Sequence, residues 1–439
     1  MKRRLAQLSF ILFAFLAIAC AATAVFFRFY GGRLEITDAF VFGTTSVLLV
    51  FLALLMLRCL MLTGISFAGH WRHAAESREA SSEHPSFSVV IPAYNEGTMI
   101  EASIEGAMSL AYPNYEVIVV DDGSTDDTYE KAVALSSRYG AHRLRVFRKA
   151  NGGKGSALNA GIHYSRGELI LCTDADSRLD RDVLRRASAH FADPLVSAVA
   201  GNVKVANRVN TLTRLQTLEY IEGLNLVRMA QGTAKKVTVI PGPVSVFRKS
   251  VLEAIGGYAT NTFAEDCDIT LQIMLRGGRI KYDMEAIAWT EAPESVSALI
   301  KQRYRWSRGI LQAILKHRRF LLRPSSGFGR WLSLWLFVVE SIVIPAMNLT
   351  ALAFFVITAL SGGMSTLVVL WWAQLTVIDT VIALYCMAAE GEDLRLLLHV
   401  VSYRIFFIPF LDVVRALAWV DELFAQPMSW LRPERVGRI

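Results

Sequence analysis

Ser88-Val89-Val90-Ile91-Pro92-Ala93-Tyr94-Asn95-Glu96 is the stretch on which the fold turns. Ser88–Pro92 is a short β-branched run closed by proline, the pattern of a buried strand. The spacing over Glu96–Leu110 is helical. The same alternation then repeats. Glu116–Val120 (EVIVV) is a second buried strand, followed by a helix from about Asp126 to Tyr139. Leu144–Phe147 is a third strand, Ser156–Tyr164 is helical, and Glu168–Cys172 (ELILC) is a fourth strand. Alternation of this kind predicts an α/β fold with a mostly parallel sheet between helices. Ligands bind such sheets beyond the carboxyl ends of the strands. Ala93-Tyr94-Asn95-Glu96, Asp121-Asp122-Gly123-Ser124 and Asp174-Ala175-Asp176 stand at those ends. A single such cluster is often a turn or a helix cap. Capping or solubility alone does not account for acidic or amide groups at three strand ends.

Outward from this domain the chain becomes apolar. It has 439 residues, 53% of them hydrophobic, and the excess gathers at the two ends. Leu5–Phe27 is an uncharged run long enough to cross a bilayer. Lys2, Arg3 and Arg4 before it place its start on the cytoplasmic side. The small residues around Cys20 and Ala22-Thr23-Ala24 also allow a signal-peptide reading; the expectation is an uncleaved anchor. Ala39–Phe67 is a second span, with Gly31-Gly32 and Asp38 in the turn between them. The polar stretch Ser77–Ser86 is a linker. Beyond the middle domain come Trp331–Leu360, Met364–Ala389 and Leu394–Val420. The first contains Glu340, Pro345 and Asn348, and Pro345 is a point where the helix could break. The last carries Arg404, Pro409, Asp412 and Arg415, so it reads as a re-entrant or interfacial helix as well as a span. Five full crossings would put the tail outside, whereas Arg432, Arg435 and Arg438 favour an inside tail. Three units follow: residues 1–70 with two spans, 71–325 as the soluble domain, and 326–439 with about three further membrane or re-entrant helices.

The formal charge of +7 would suit a nucleic-acid binder, but no groove-reading motif is present and the basic residues flank apolar spans. Nucleic acid is therefore not expected as a partner. Five scattered cysteines without a CxxC pair argue against a disulfide framework and a zinc site, and fit a reducing compartment.

Several residues carry chemistry. Asp174 and Asp176 are hard oxygen donors two residues apart at a strand end, suited to Mg²⁺ or Mn²⁺ shared with substrate phosphates. Asn151-Gly152-Gly153-Lys154-Gly155 opens a helix, where glycines admit close backbone approach and the helix N-terminus favours anions. Its spacing is not that of a P-loop. Ala264-Glu265-Asp266-Cys267-Asp268 reads either as an acidic first turn before Ile269–Leu275 or as the seat of a general base. Gln302-Arg303-Tyr304-Arg305-Trp306 lies in a probable amphipathic helix, Val296–Arg318, next to the membrane. Helical spacing puts Gln302, Arg305 and Trp306 on one face. A guanidinium there suits phosphate and an indole face suits a sugar ring.

Together these segments resemble the membrane-embedded, processive family 2 glycosyltransferases, a group that includes cellulose, chitin, hyaluronan and poly-β-1,6-N-acetylglucosamine synthases. The resemblance runs from Ser88–Glu96 through Val120–Ser124, Asp174–Asp176 and Glu265-Asp266 to the QxxRW element Gln302–Trp306. The layout of spans, with Val401-Ser402-Tyr403-Arg404 and the basic tail, is most similar to the poly-N-acetylglucosamine synthase type. The resemblance implies a GT-A catalytic domain and inverting, metal-dependent transfer from a UDP-sugar to a polysaccharide or lipid acceptor. By matching motif, Pro92, Asn95, Glu96, Asp121, Asp122, Lys154 and Asp174 would bind the nucleotide-sugar, and Asp176 with Asp174 the metal. Asp266, beside Glu265, would be the general base. Gly242, in Val239–Pro243, together with Gln302, Arg305 and Trp306 would meet the acceptor and diphosphate. UDP-N-acetylglucosamine is the first choice of donor and UDP-glucose the second. A non-processive enzyme acting on a membrane lipid is the alternative. Ala264 departs from the Thr or Gly often found before Glu-Asp. Only 19 residues follow Val420, so no appended cyclic-dinucleotide domain is expected. The expected setting is the bacterial inner membrane with a cytoplasmic catalytic domain, and with an accessory membrane subunit or a homo-oligomer as further partners. Glu340, Asn348 and Asp379, polar in apolar spans, suggest that the same chain also moves its product.

Overall fold

The computed structural model describes residues 39–76, 84–324, 327–360 and 365–426. The expected first span, Leu5–Phe27, and the tail arginines lie outside the described residues. Helix α1 (Ala39–Glu76) leads into the soluble domain. There β1 (Phe87–Ala93), α2 (Ile100–Met108), β2 (Tyr115–Asp121), α3 (Thr128–Tyr139), β3 (Leu144–Arg148), α4 (Lys154–Tyr164) and β4 (Leu169–Cys172) follow the alternation read from the sequence. The register is parallel, with Ala93 opposite Asp121 and Val90 opposite Cys172, so the carboxyl ends of β1, β2 and β4 share one edge.

The remainder departs from a mostly parallel sheet. β5 (Ser177–Leu179), α5 (Val183–His190) and β6 (Val196–Val205) come next. Then follow α6 (Thr211–Leu218), a π-helical turn (Glu219–Asn225) and α7 (Leu226–Thr233). β7 (Ser245–Arg248), α8 (Lys249–Ile255), α9 (Glu265–Leu275) and β8 (Arg279–Thr290) complete one eight-stranded sheet, ordered β3-β2-β1-β4-β7-β6-β8-β5. β7 is antiparallel to both β4 and β6, β6 and β8 are parallel, and β5 is antiparallel to β8. The sheet is thus parallel in its first half and mixed in its second. β5 and β7 have only three and four residues, too short for a periodic signal.

Period-two alternation sorts the strand residues into two apolar layers. Val89, Ile91, Val117 and Val119 pack with Ile100 and Ile104 of α2 and Val183 of α5. Val90, Ile170 and Phe247 face the other way, toward Leu158 and Ile162 of α4 and Ile269 and Ile273 of α9. α4 lies close on the sheet because residue 161 is glycine: a Cβ there would stand 2.3 Å from Val90 Cγ1.

α10 (Val296–His317), capped by Ser295, runs beneath the domain. α11 (Phe328–Val338), a π turn (Val339–Val343) and α12 (Ile344–Leu360) form one continuous helix. Pro345 therefore does not break the chain. The π turn just before it offsets the carbonyls that the proline ring would meet and absorbs the missing N–H. α13 (Ser365–Glu390) returns to the domain. A 3₁₀ turn (Leu394–His399), α14 (Val400–Ser402), a π turn (Tyr403–Phe407) and α15 (Ile408–Leu423) complete the described chain. Here too a π turn precedes an Ile-Pro pair, Ile408-Pro409.

By length and composition, four described helical stretches could cross a membrane: Leu49–Trp71, Phe328–Val356, Ala373–Glu390 and Leu394–Leu423. The last differs in its tethers. Just before it, Glu392 pairs with Lys204 (2.8 Å) and Arg208 (2.6 Å) of the soluble domain. At its end, Asp421 accepts from Tyr304 Oη at 2.6 Å, and Glu422 takes Arg308 and Gln312 of α10. Both ends are thus fastened to the α/β domain and the helix beneath it. One apolar cluster joins α1, α12 and α13 to Leu215, Leu218 and Leu299 of the domain, so the domain and the long apolar helices share a core.

Candidate active site

A cavity of about 460 Å³ opens at the carboxyl edge of the sheet and continues between the apolar helices. Lys154, Asp174, Asp176, Gly242, Glu265, Asp266, Gln302, Arg305 and Trp306 all line it. These residues come from five separated segments, and only the tertiary fold assembles them.

Lys154 is the first residue of α4, after Gly153 at φ 84. Its Nζ lies 2.7 Å from Asp174 Oδ1 and 3.0 Å from Glu265 Oε1. Burial alone would lower the ammonium pKa, but Asp174, Glu265 and Asp266 outweigh it and hold the lysine above its usual value. Gly242 completes the corner. A Cβ on it would stand 3.0 Å from Lys154 Nζ and 3.2 Å from Asp174 Oδ2.

Glu265 and Asp266 open α9, where the helix dipole favours carboxylates. Burial, then the Glu265 charge, raise the Asp266 carboxyl to about 6, against the pull of Lys154 and the Cys267 N–H. That N–H donates to Asp266 Oδ1 at 2.7 Å. Asp268, two residues further and so on another side of the helix, has other partners. It is fully buried and accepts from Lys316 (2.8 Å) and His317 Nε2 (2.9 Å) at the end of α10. Burial would raise its pKa, yet these partners and Gln272 bring it down to about 2.

α10 sits close on the start of α9 because Gly309 has no side chain. A Cβ there would stand 2.5 Å from the backbone nitrogen of Ala264 and 2.5 Å from its Cβ. This contact leaves room for no more than a small residue at 264, where Ala stands. It also sets Gln302, Arg305 and Trp306 opposite Asp266. Gln302 is buried and its Oε1 has no hydrogen-bond partner. The Arg303 guanidinium pairs with Glu219 Oε2 at 2.7 Å and stacks 4.1 Å from the Trp306 ring centre.

The remaining candidates lie outside this cavity lining, at the ends of β1 and β2. Pro92 is buried within β1 opposite Val120. Asn95, at φ 53, accepts from Thr125 N at 2.7 Å, and Glu96 N donates to Thr128 Oγ1. Asp121 is fully buried and faces Arg148 Nε at 3.1 Å. Asp122 accepts from Gly152 N and Gly153 N (2.7 Å) and pairs with Lys149, so it shapes the glycine loop that presents Lys154.

Other residues lining the cavity were not singled out in the sequence, among them Arg58, Glu222, Arg228 and Trp419. Arg58 forms a bidentate ion pair with Glu340, and Arg404 one with Asp379. Asn348 donates to Asp412 at 2.9 Å. An ionisable residue inside an apolar run is a readable sign for Arg58. No such sign marks Glu222, whose surroundings are those of an ordinary helix.

A sheet of this order, with acidic groups at its carboxyl edge and a pair of carboxylates at a helix start, defines a nucleotide-sugar transferase architecture of the GT-A type. Residues 84–309 match the family described as Glycosyltransferase like family 2, and the chain belongs to it. Among its relatives is a poly-β-1,6-N-acetyl-D-glucosamine synthase of Staphylococcus aureus (strain COL), 32% identical over 228 residues, 52% of this chain and 55% of the relative. The synthase of the same name from Staphylococcus epidermidis is 30% identical over 285 residues, 63% of this chain and 68% of the relative. The match thus spans about half the length of the S. aureus relative. The mannosyltransferase PcManGT from Pyrobaculum calidifontis, solved with GDP-Man and Mn²⁺, shares the fold: TM-score 0.60 at 22% identity, over 84% of this chain and 99% of that one.

Proposed function

We propose that the chain carries out an inverting, metal-dependent and processive transfer of sugar from a UDP-sugar to a growing β-linked polysaccharide at the bacterial inner membrane. UDP-N-acetylglucosamine is the preferred donor, in keeping with the names of the staphylococcal relatives, and UDP-glucose is second. The observation that carries this reading is the single cavity that holds Lys154, Asp174, Asp266, Gln302 and Trp306 and runs on between apolar helices.

The residues divide the work. Asp266 takes the proton of the acceptor hydroxyl, and a carboxyl near 6 is a competent base at neutral pH. Asn95, Glu96 and Asp121, with Pro92 and Asp122 behind them, form the nucleotide end. Lys154 and Arg305 offset the charge of the departing diphosphate. Gln302 and Trp306 hold the acceptor sugar, with Gly242 leaving room beside Lys154. The donor set fits a divalent ion: Asp174 and Asp176 both line the cavity with hard oxygens. Mg²⁺ is characteristically held by one or two carboxylates plus substrate phosphates. When bound, Mg²⁺ or Mn²⁺ would supply Lewis-acid stabilisation of the leaving diphosphate.

The membrane arrangement belongs to the same reading: residues 1–70, 71–325 and 326–439 as anchor, cytoplasmic catalytic domain and membrane bundle. α1, α11–α12 and α13 cross the membrane, while Leu394–Leu423, fastened at both ends, lies along the interface. With the N-terminal run counted as a span, this reading has four crossings and an inside tail, in keeping with the tail arginines. Glu340, Asn348 and Asp379 line the cavity, which supports a product path through the bundle. An accessory subunit or a second copy would extend it.

The test uses purified protein in vesicles with Mg²⁺ or Mn²⁺ and radiolabelled UDP-N-acetylglucosamine or UDP-glucose, offered separately. A long product from one donor, absent in Asp266→Asn, is the expected result. A single-sugar lipid product would replace this reading with the non-processive one, and no transfer from either donor would overturn it.

A further inference from the structure

Three π-helical turns occur among the described residues, at Glu219–Asn225, Val339–Val343 and Tyr403–Phe407. Each places a charged residue on the wall of the same cavity: Glu222, Glu340 and Arg404. A π turn inserts one residue into a helix, rotates the side chains after it, and is found disproportionately at functional sites. Two of the three charges are neutralised, Glu340 by Arg58 and Arg404 by Asp379. Glu222 is the exception. Its residue is 8% exposed, it lines the cavity, and its Oε1 has no hydrogen-bond partner.

A buried polar oxygen without a partner costs stability, and an ordered fold retains few of them. Its place in the cavity gives a reason for keeping it. One turn earlier, Glu219 is tied to Arg303, which stacks on Trp306 at the transfer end. On the other side the charges facing Glu222 are Asp379 and Arg404, in the membrane half. Gly223 beside it leaves the wall open, since a Cβ there would meet nothing nearer than 3.9 Å. Burial, then the Asp379 charge, push the Glu222 carboxyl well above its usual range, against the pull of Arg404. A neutral carboxyl both donates and accepts, and matches hydroxyl and amide groups rather than a cation.

We propose that Glu222 is an acceptor-contacting residue, its carboxyl group hydrogen-bonding a hydroxyl or amide of the sugar chain where that chain leaves the transfer site for the membrane half of the cavity. The assignment rests on the polysaccharide-synthase reading above. Glu340 and Arg404, already paired, present a neutralised wall beyond it, along which a neutral polymer slides without a fixed charge to hold it.

The experiment compares native protein, Glu222→Ala, Glu222→Leu and Glu222→Gln in vesicles. It measures product length, the KM for a β-linked oligosaccharide acceptor, the KM for the UDP-sugar, and the melting temperature. Loss of a contact made only to the acceptor is expected to shorten the product of the Ala and Leu variants. It should raise their acceptor KM about tenfold, with the donor KM unchanged. Glu222→Gln, which keeps a donor and an acceptor, should restore both. Leu, of similar bulk, keeps the test available if Ala does not fold. An unchanged product and acceptor KM in Ala or Leu overturns the assignment while leaving the synthase reading intact. Failure of Gln together with a lowered melting temperature also overturns it, in favour of a structural role. No polymer from the native protein overturns the synthase reading itself, and this assignment with it.

Discussion

At the residue scale the proposed chemistry turns on the corner where Asp266, Lys154 and Gly242 meet. Asp266→Asn keeps the shape and removes the base, so transfer should fall by about 10²–10⁴-fold while UDP-sugar binding, followed by calorimetry, persists. The pH sign follows from the raised carboxyl. A base is active when deprotonated, so kcat/KM should fall as pH drops below about 6, roughly tenfold per unit for a single ionisation. A pH–rate profile that is flat from 7 to about 5 would exclude Asp266 as that base. Gly242→Ala would put a methyl group 3.0 Å from Lys154 Nζ, a distance that forces the ammonium aside. The expected outcome is a large loss of transfer with little change in melting temperature, because the lysine tip can move and the backbone need not.

At the element scale the active site depends on how α10 lies on α9. Two features fix that contact. Gly309 allows the approach to Ala264, and Asp268 locks the far end through Lys316 and His317. Gly309→Ala meets backbone atoms rather than a flexible side chain, so α10 must move as a body. Transfer should be lost through misplacement of Gln302 and Trp306, and the melting temperature should fall with it. Asp268→Ala removes the buried acceptor of a histidine and a half-exposed lysine and should cost about 1–3 kcal/mol, read from denaturation in detergent. The Asp268 pKa is lowered from 3.8 to about 2 on folding. Its contribution is therefore present above pH about 4 and is lost as pH falls toward 2. In the Asp268→Ala protein that part of the acid sensitivity should disappear.

At the scale of the whole molecule the α/β domain and the long apolar helices share a core and a common cavity. The segment Leu394–Leu423 is apolar enough to span, yet its two ends are held by Lys204 and Arg208 on one side and by Tyr304 and Arg308 on the other. On the proposed arrangement this segment lies along the domain rather than crosses. A cysteine placed at Phe424 should then react with an impermeant thiol reagent from the same side as one placed at His84, in inside-out vesicles. Reaction from opposite sides would show that the segment spans.

Strand and helix order from Ser88 to Cys172 was legible because buried parallel strands are continuous apolar runs between turn residues, a local signal that needs no partner. The acidic strand ends, Glu265-Asp266 and the QxxRW element were legible for the same reason: each is a short stretch whose chemistry stands in its own residues. The mixed half of the sheet was not, because the antiparallel direction of β7 is set by the strands it lies between. Nor was the π turn that carries the helix past Pro345, since an inserted residue leaves no mark in an apolar run. The pairing of Arg58 with Glu340, the seating of α10 through Gly309 and the open carboxyl of Glu222 depend on contacts between segments far apart in the chain. Such contacts exist only once packing has brought those segments together, and there tertiary structure alone decides.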